Sequence, residues 1–157
     1  MQPVLYKPST YVSVVYLLDV SQSVAPGAIK KAIEWIQQTN DSAKPDHAQF
    51  VAFGSNSVQF DKAEELKNVR VSNHAGEGVL DQSRTGISDA LDRALRSFAP
   101  NHLKRVVLIS DGNENSGDVS AILPRLKREN ARVSITPITS GEPGSGTYFL
   151  TIALVSR

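Results

Sequence analysis

Two aspartates and three hydroxyl residues stand where oxygen-donor chemistry is available. Asp19-Val20-Ser21-Gln22-Ser23 follows one apolar run, and Asp111-Gly112-Asn113 follows another. Arg84-Thr85-Gly86 precedes an apolar stripe of helical spacing. Asp19, Ser21, Ser23, Thr85 and Asp111 all present hard oxygen atoms, which suit an octahedral Mg²⁺ or Mn²⁺ better than Zn²⁺ or Cu²⁺. With two carboxylate charges at most, such an ion keeps Lewis acidity and open positions, so it can accept an anionic oxygen from outside. Each residue alone also has an ordinary reading. The aspartates are good turn formers after strands, and Ser23 and Thr85 are good helix N-caps.

Other chemistry is thin. The chain has no cysteine, which excludes disulfides, thiolate zinc sites, iron–sulfur clusters and cysteine nucleophiles. His47, His74 and His102 lie at no metal-ligand spacing in the sequence and read as solvated. Gly144-Ser145-Gly146 lacks the Gly-Lys-Ser/Thr ending of a phosphate loop. No Gly-x-Ser-x-Gly elbow of a serine hydrolase occurs.

The elements that must position the donors follow from periodicity. Val12–Leu18 is a β-branched and aliphatic run that predicts a buried strand ending at Asp19. Ile29, Ala32, Ile33 and Ile36 then mark a helix entered at Pro26. Ala48–Phe53 predicts a second strand, and Gly54-Ser55-Asn56 links it to an antiparallel edge strand at Ser57–Phe60. Residues 61–84 are polar and irregular and predict a long loop, of the kind that is usually functional or mobile. Ile87, Ala90, Leu91, Ala94, Leu95 and Phe98 form the cleanest helical stripe, stopped by Pro100. Val106–Ile109 predicts a strand. Val119, Ile122, Leu123 and Leu126 predict a helix in which Pro124 imposes a break or a late start. Val133, Ile135 and Ile138 predict another strand, Gly141–Gly146 a connector, and Tyr148–Val155 a last strand. Trp35 borders the first helix's stripe as partly buried packing, and Lys127, Arg128 and Arg132 read as a solvated helix end.

Apolar strands alternating with helices predict a doubly wound, Rossmann-like α/β sheet, mostly parallel with one antiparallel edge and helices on both faces. In such sheets ligands bind beyond the carboxyl ends of the strands, where the three donor segments fall. At 157 residues the chain is expected to be one domain over 1–157, with a core at about 12–140 and a strand-like segment at 147–155. Apolar residues at 40% and charged residues at 21% match ordinary globular usage and argue against disorder. A formal net charge of +1 gives no electrostatic case for nucleic acid or an anionic membrane surface. No apolar run approaches the roughly 18 residues of a membrane span, and Met1-Gln2-Pro3-Val4 lacks a signal peptide's basic start. The expectation is a soluble domain, and a cysteine-free chain fits either redox compartment.

Taken together and in this order, three elements resemble a von Willebrand factor type A domain. They are Asp19-x-Ser21-x-Ser23, Thr85 in a Thr-x-Ile-x-x-Ala-Leu context, and Ile109-Ser110-Asp111-Gly112. The resemblance covers about residues 12–140. It implies a metal-ion-dependent adhesion site in which Ser21 and Ser23 bind Mg²⁺ or Mn²⁺ directly. It implies further that Thr85 does so in the ligand-competent state, and that Asp19 and Asp111 act directly or through water. A protein partner's Asp or Glu carboxylate then takes the open position, with Arg84, Gly86 and Asn113 bordering it. The implied role is a non-enzymatic adhesion or assembly module, a monomeric domain of a larger protein, bacterial in type and in some relatives membrane-anchored, without inserting into the membrane itself.

Two other classes are set against this reading. One is an aspartyl phosphatase or phosphotransferase using Asp19 as nucleophile. Such enzymes usually carry a second acid two positions on, where this chain has Ser21, and a phosphate-binding Lys at a strand end, which it lacks. The other is a scaffold whose site stays empty.

Overall fold

The computed structural model describes residues 11–72, 79–110 and 119–138, and the backbone of 150–151. β1 (Val12–Asp19) is apolar along its length because both of its faces are covered. α1 (Pro26–Ala43) begins at a proline, whose missing N–H would have had no helical partner there. It buries Ala32, Ile33 and Ile36, with Trp35 packed half-buried beside them. β2 (His47–Phe53) runs parallel to β1, and β3 (Ser57–Phe60) turns back antiparallel through Gly54-Ser55-Asn56, as the sequence predicts.

Residues 61–84 differ from expectation. They hold a short 3₁₀ helix (Ala63–Asn68) and a two-residue parallel pairing of β4 (Val71–Ser72) with β5 (Leu80–Asp81). Leu66 and Leu80 are buried anchors, but two leucines fourteen positions apart generate no sequence period. α2 (Ile87–Ser97) buries Ile87, Ala90, Leu91, Ala94 and Leu95. β6 (Leu103–Ser110), α3 (Val119–Arg128), β7 (Arg132–Pro137) and β8 (Leu150–Thr151) follow. α3 runs through Pro124 without the expected break or late start. The proline removes one backbone hydrogen bond, while Ile122 and Leu126 on either side stay buried and hold the helix to the sheet.

Among the described residues the main sheet has the order β3-β2-β1-β6-β7-β8. β2, β1, β6 and β7 are parallel, β3 is the antiparallel edge, and β8 pairs antiparallel with β7 at the far side. Of the predicted Tyr148–Val155 strand, only 150–151 lies within the described residues, and the Gly141–Gly146 connector lies outside them. One core holds Val15 and Leu17 of β1 against α2 and α3. The other holds Val14, Tyr16 and Leu18 against α1 and the 3₁₀ helix. The fold is the expected doubly wound α/β sheet. No helix among the described residues is long and apolar enough to cross a membrane.

Tyr16 lies stacked on Phe50, ring centres 5.3 Å apart. Burial pushes its phenol from 10.0 up to about 12. The folded state therefore holds this proton more tightly than the unfolded chain. Its contribution to stability is complete below pH 10.0 and is lost as pH rises through about 12. In thermal melts, Tyr16→Phe should lose less stability than wild type over that interval. Parallel declines in the two proteins would show that Tyr16 titrates as it does unfolded.

Candidate metal centre

The chain leaves β1 for β2 on one side and later returns to β6 on the other. A crevice therefore opens at the carboxyl ends of β1 and β6. Asp19 ends β1 and Ser110 ends β6. The Asp19 side chain is fully buried (0% exposed). Its Oδ1 accepts the Ser21 amide at 2.9 Å and its Oδ2 accepts the Ser110 hydroxyl at 2.7 Å. Both donors are neutral, and among the described residues no Lys or Arg pairs with Asp19. Burying a carboxylate without a cation is costly.

Ser21 is buried and Ser23 exposed, with their hydroxyl oxygens 3.1 Å apart. The turn thus carries two hydroxyls from the buried carboxylate out to the surface. Neither Ser23 nor Thr85 stands at the N-cap position of the helix that follows it. The N-cap of α1 is Ala25 and that of α2 is Gly86, and neither makes a side-chain capping bond. Thr85 is buried (1% exposed), and Arg84 beside it is exposed.

The segment leading to Thr85 is tied down by backbone. Gln82 accepts the Gln22 amide on its carbonyl at 3.0 Å, and its side-chain amide donates to the Val20 carbonyl at 2.8 Å. The Ser55 amide donates to the Asp81 carbonyl at 2.7 Å, and the Gly86 amide to the Gly54 carbonyl at 2.9 Å. Asn56 closes the same junction, accepting the Asp81 amide and donating to the Val79 carbonyl. The structure so brings the Asp19–Ser23 turn against the approach to Thr85. Gly86, expected on the partner-facing rim, is instead buried against the β2–β3 turn. Asp111 and Asn113 lie outside the described residues.

Sequence reasoning passed over Ser110, Gln82 and Gly54 as contributors. Ser110 stands beside Asp111 in the sequence, and only the β1–β6 pairing shows that it reaches Asp19. Among the described residues no three His, Asp or Glu side chains gather as a metal cluster. The donors here are one carboxylate and hydroxyls. A hard oxygen-seeking cation fits this set: it would compensate the buried Asp19 charge and use the adjacent serine oxygens.

The family model described as the von Willebrand factor type A domain matches residues 13–154. No curated protein matches the chain. Solved structures of similar fold include the manganese-loaded TRAP protein of Plasmodium vivax, at 19% identity and a TM-score of 0.64, covering 83% of this chain and 58% of that one. The chain therefore spans less than two thirds of the TRAP structure. An aerotolerance-related membrane protein of Bacteroides fragilis is 20% identical with a TM-score of 0.67, covering 87% of this chain and 74% of that one. BatB of Bacteroides thetaiotaomicron is 21% identical with a TM-score of 0.62, covering 80% and 66%. At these identities the likeness is one of fold.

Gly54 supplies a test of the junction. A Cβ there would stand 2.3 Å from the Asp81 carbonyl oxygen and 2.8 Å from Leu80 Cδ2. Gly54→Ala should therefore push the segment before Thr85 off the turn and cost about 1–3 kcal/mol in denaturant unfolding. A wild-type midpoint would show that the contact is not tight.

Proposed function

The chain belongs to the von Willebrand factor type A domain family, and on that footing we propose that it is a protein-binding module that works through a divalent cation held by Asp19, Ser21, Ser23, Thr85 and Asp111. Members of this family are generally protein-interaction modules, often metal-dependent. The observation that carries the reading is the buried Asp19 carboxylate, bonded among the described residues to neutral donors only and followed by two hydroxyls that lead to the surface. Mg²⁺ or Mn²⁺ bound there supplies positive charge and an open position for an anionic oxygen.

Each residue has a share in the proposed binding. Asp19 provides the charge, and the Ser21 amide and Ser110 hydroxyl hold its two oxygens in place. Ser21 and Ser23 offer neutral oxygens, which leave positive character for the partner. Thr85 approaches on the segment fixed by Gln82. Exposed Arg84 draws an acidic side chain toward the opening, and the partner contributes an Asp or Glu carboxylate. Residues 1–157 act as a single domain, monomeric and part of a larger protein, and the module binds without catalysing a reaction.

Partner binding should vanish in EDTA, return with Mg²⁺ or Mn²⁺, and be absent in Asp19→Ala. Melting temperatures should also differ by about 5–10 °C between EDTA and an ion at a hundredfold excess over its dissociation constant. A partner that binds equally well in EDTA and to Asp19→Ala makes its contact elsewhere, and the proposal fails.

Site and scaffold should separate in a second experiment. Ser21→Ala and Ser23→Ala should each weaken metal binding while leaving the metal-free fold within about 1 kcal/mol of wild type. Leu91→Ala, in the α2 core, should cost roughly 2–5 kcal/mol. Serine variants as unstable as Leu91→Ala would mark these hydroxyls as structural.

A further inference from the structure

Beside the Asp19–Ser23 turn, between α1 and the segment that runs from the 3₁₀ helix into β4, lies a cleft of about 470 Å³. That is within the roughly 300–1,000 Å³ of sites that accept an organic group. Its apolar lining runs from buried Val20, Ile33 and Leu66 through half-buried Ile29 and Val69 to Val71, which is 44% exposed. Lys30, Glu34 and Lys67 complete it as exposed charges. Among the described residues neither lysine forms an ion pair.

We propose that this cleft seats an apolar side chain, of leucine or phenylalanine size, from the same partner segment whose Asp or Glu carboxylate reaches the ion. The inference rests on the metal-dependent reading above and adds a second determinant to it. Continuity is the first support. Val20 lines the cleft and stands between Asp19 and Ser21 in the chain. Gln82 lines it too, and its carbonyl accepts the Gln22 amide at 3.0 Å while its side-chain amide donates to the Val20 carbonyl at 2.8 Å. One backbone hydrogen bond therefore joins the cleft wall to the turn that carries Ser21 and Ser23. A segment held at that turn has the cleft beside it.

Charge is the second. Two lysines against one glutamate draw an acidic segment, the same chemistry that a bound cation selects. The third is preorganisation. The Leu80 amide donates to the Arg70 carbonyl and the Gln82 amide to the Ser72 carbonyl, both at 2.8 Å, so the strand pairing holds Val71 and Gln82 in place. Little ordering remains to be done when a partner arrives. Covering the exposed Val71 removes apolar area from water, which favours association. A carboxylate alone is common to every protein surface and discriminates poorly. An acidic residue and an apolar one at a fixed spacing discriminate well, because a segment lacking either forfeits its contact.

The probe is a displayed library of random peptides, selected on the protein in Mg²⁺, eluted with EDTA and remade singly for affinity measurement. Eluted peptides should combine Asp or Glu with Leu, Ile or Phe at one spacing. Replacing that apolar residue by Ala should weaken binding about tenfold. Val71→Ser should weaken it by about threefold or more while Mg²⁺ affinity stays as in wild type. Lys67→Glu should weaken it as well, and carries the test should Val71→Ser unfold. Peptides with a carboxylate but no apolar preference, or wild-type affinity in both cleft variants, would overturn this proposal and leave the metal reading standing. Peptides that bind equally well in EDTA would overturn the metal reading and this proposal with it. A dimer of the chain in sedimentation that Val71→Ser dissociates would put a second copy in the cleft, which also overturns it.

Discussion

A carboxylate buried at the end of an apolar strand constrains most of this molecule. Asp19 is reached only because β1 is covered by helices on both faces, which requires the uninterrupted apolar run before it. Once buried, its oxygens need donors, and they receive them from the turn that follows and from the neighbouring strand β6. Both donors are uncharged. Removing a carboxylate from water normally calls for a paired cation as well as hydrogen bonds, since the hydration lost amounts to several kcal/mol. In the proposed reading the ion completes that pairing, and the serines after Asp19 are oxygen donors rather than caps.

The remaining geometry follows from how the segment before α2 is held. Backbone amides and carbonyls make most of its bonds, to Gln22, Ser55, Gly54 and Asn56. Backbone bonds fix the path of the chain whatever side chains it carries, so Arg84 can stay exposed while Thr85 is set inward. Gly54 makes this possible by letting the Asp81 carbonyl approach where no Cβ would fit.

What the sequence revealed and what it hid have physical causes. β1 and β6 were legible as continuous apolar runs, and α1 and α2 because their apolar residues repeat with the helix period over two turns or more. The 3₁₀ helix was hidden because one buried leucine has no period. Pro124 misled because the propensity rule counts the lost hydrogen bond and not the buried side chains on either side. At the candidate site the donors Asp19, Ser21, Ser23 and Thr85 could be named from spacing, whereas Ser110 and Gln82 act through contacts spanning 91 and 62 positions. The proximity of the His47 and His102 rings, 6.4 Å between centres, was hidden for the same reason: a strand order that places β1 between β2 and β6 is a property of the sheet, not of any local segment.

A parallel sheet also makes its two ends chemically unequal. The chain enters α1 from the carboxyl end of β1 and returns from α2 to the amino end of β6, so α1 and α2 both begin at the carboxyl end. Helix amino ends carry partial positive charge. That charge opposes a bound cation and favours an arriving carboxylate. The cation in the proposed reading is therefore held by the charge of Asp19, with Asp111 as the second proposed carboxylate, against the helices. The partner's carboxylate is drawn by ion, helix ends and Arg84 together. An arrangement in which one carboxylate sustains the ion while everything around it attracts a second makes the ion's residence depend on Asp19 and the partner's choice depend on the rim.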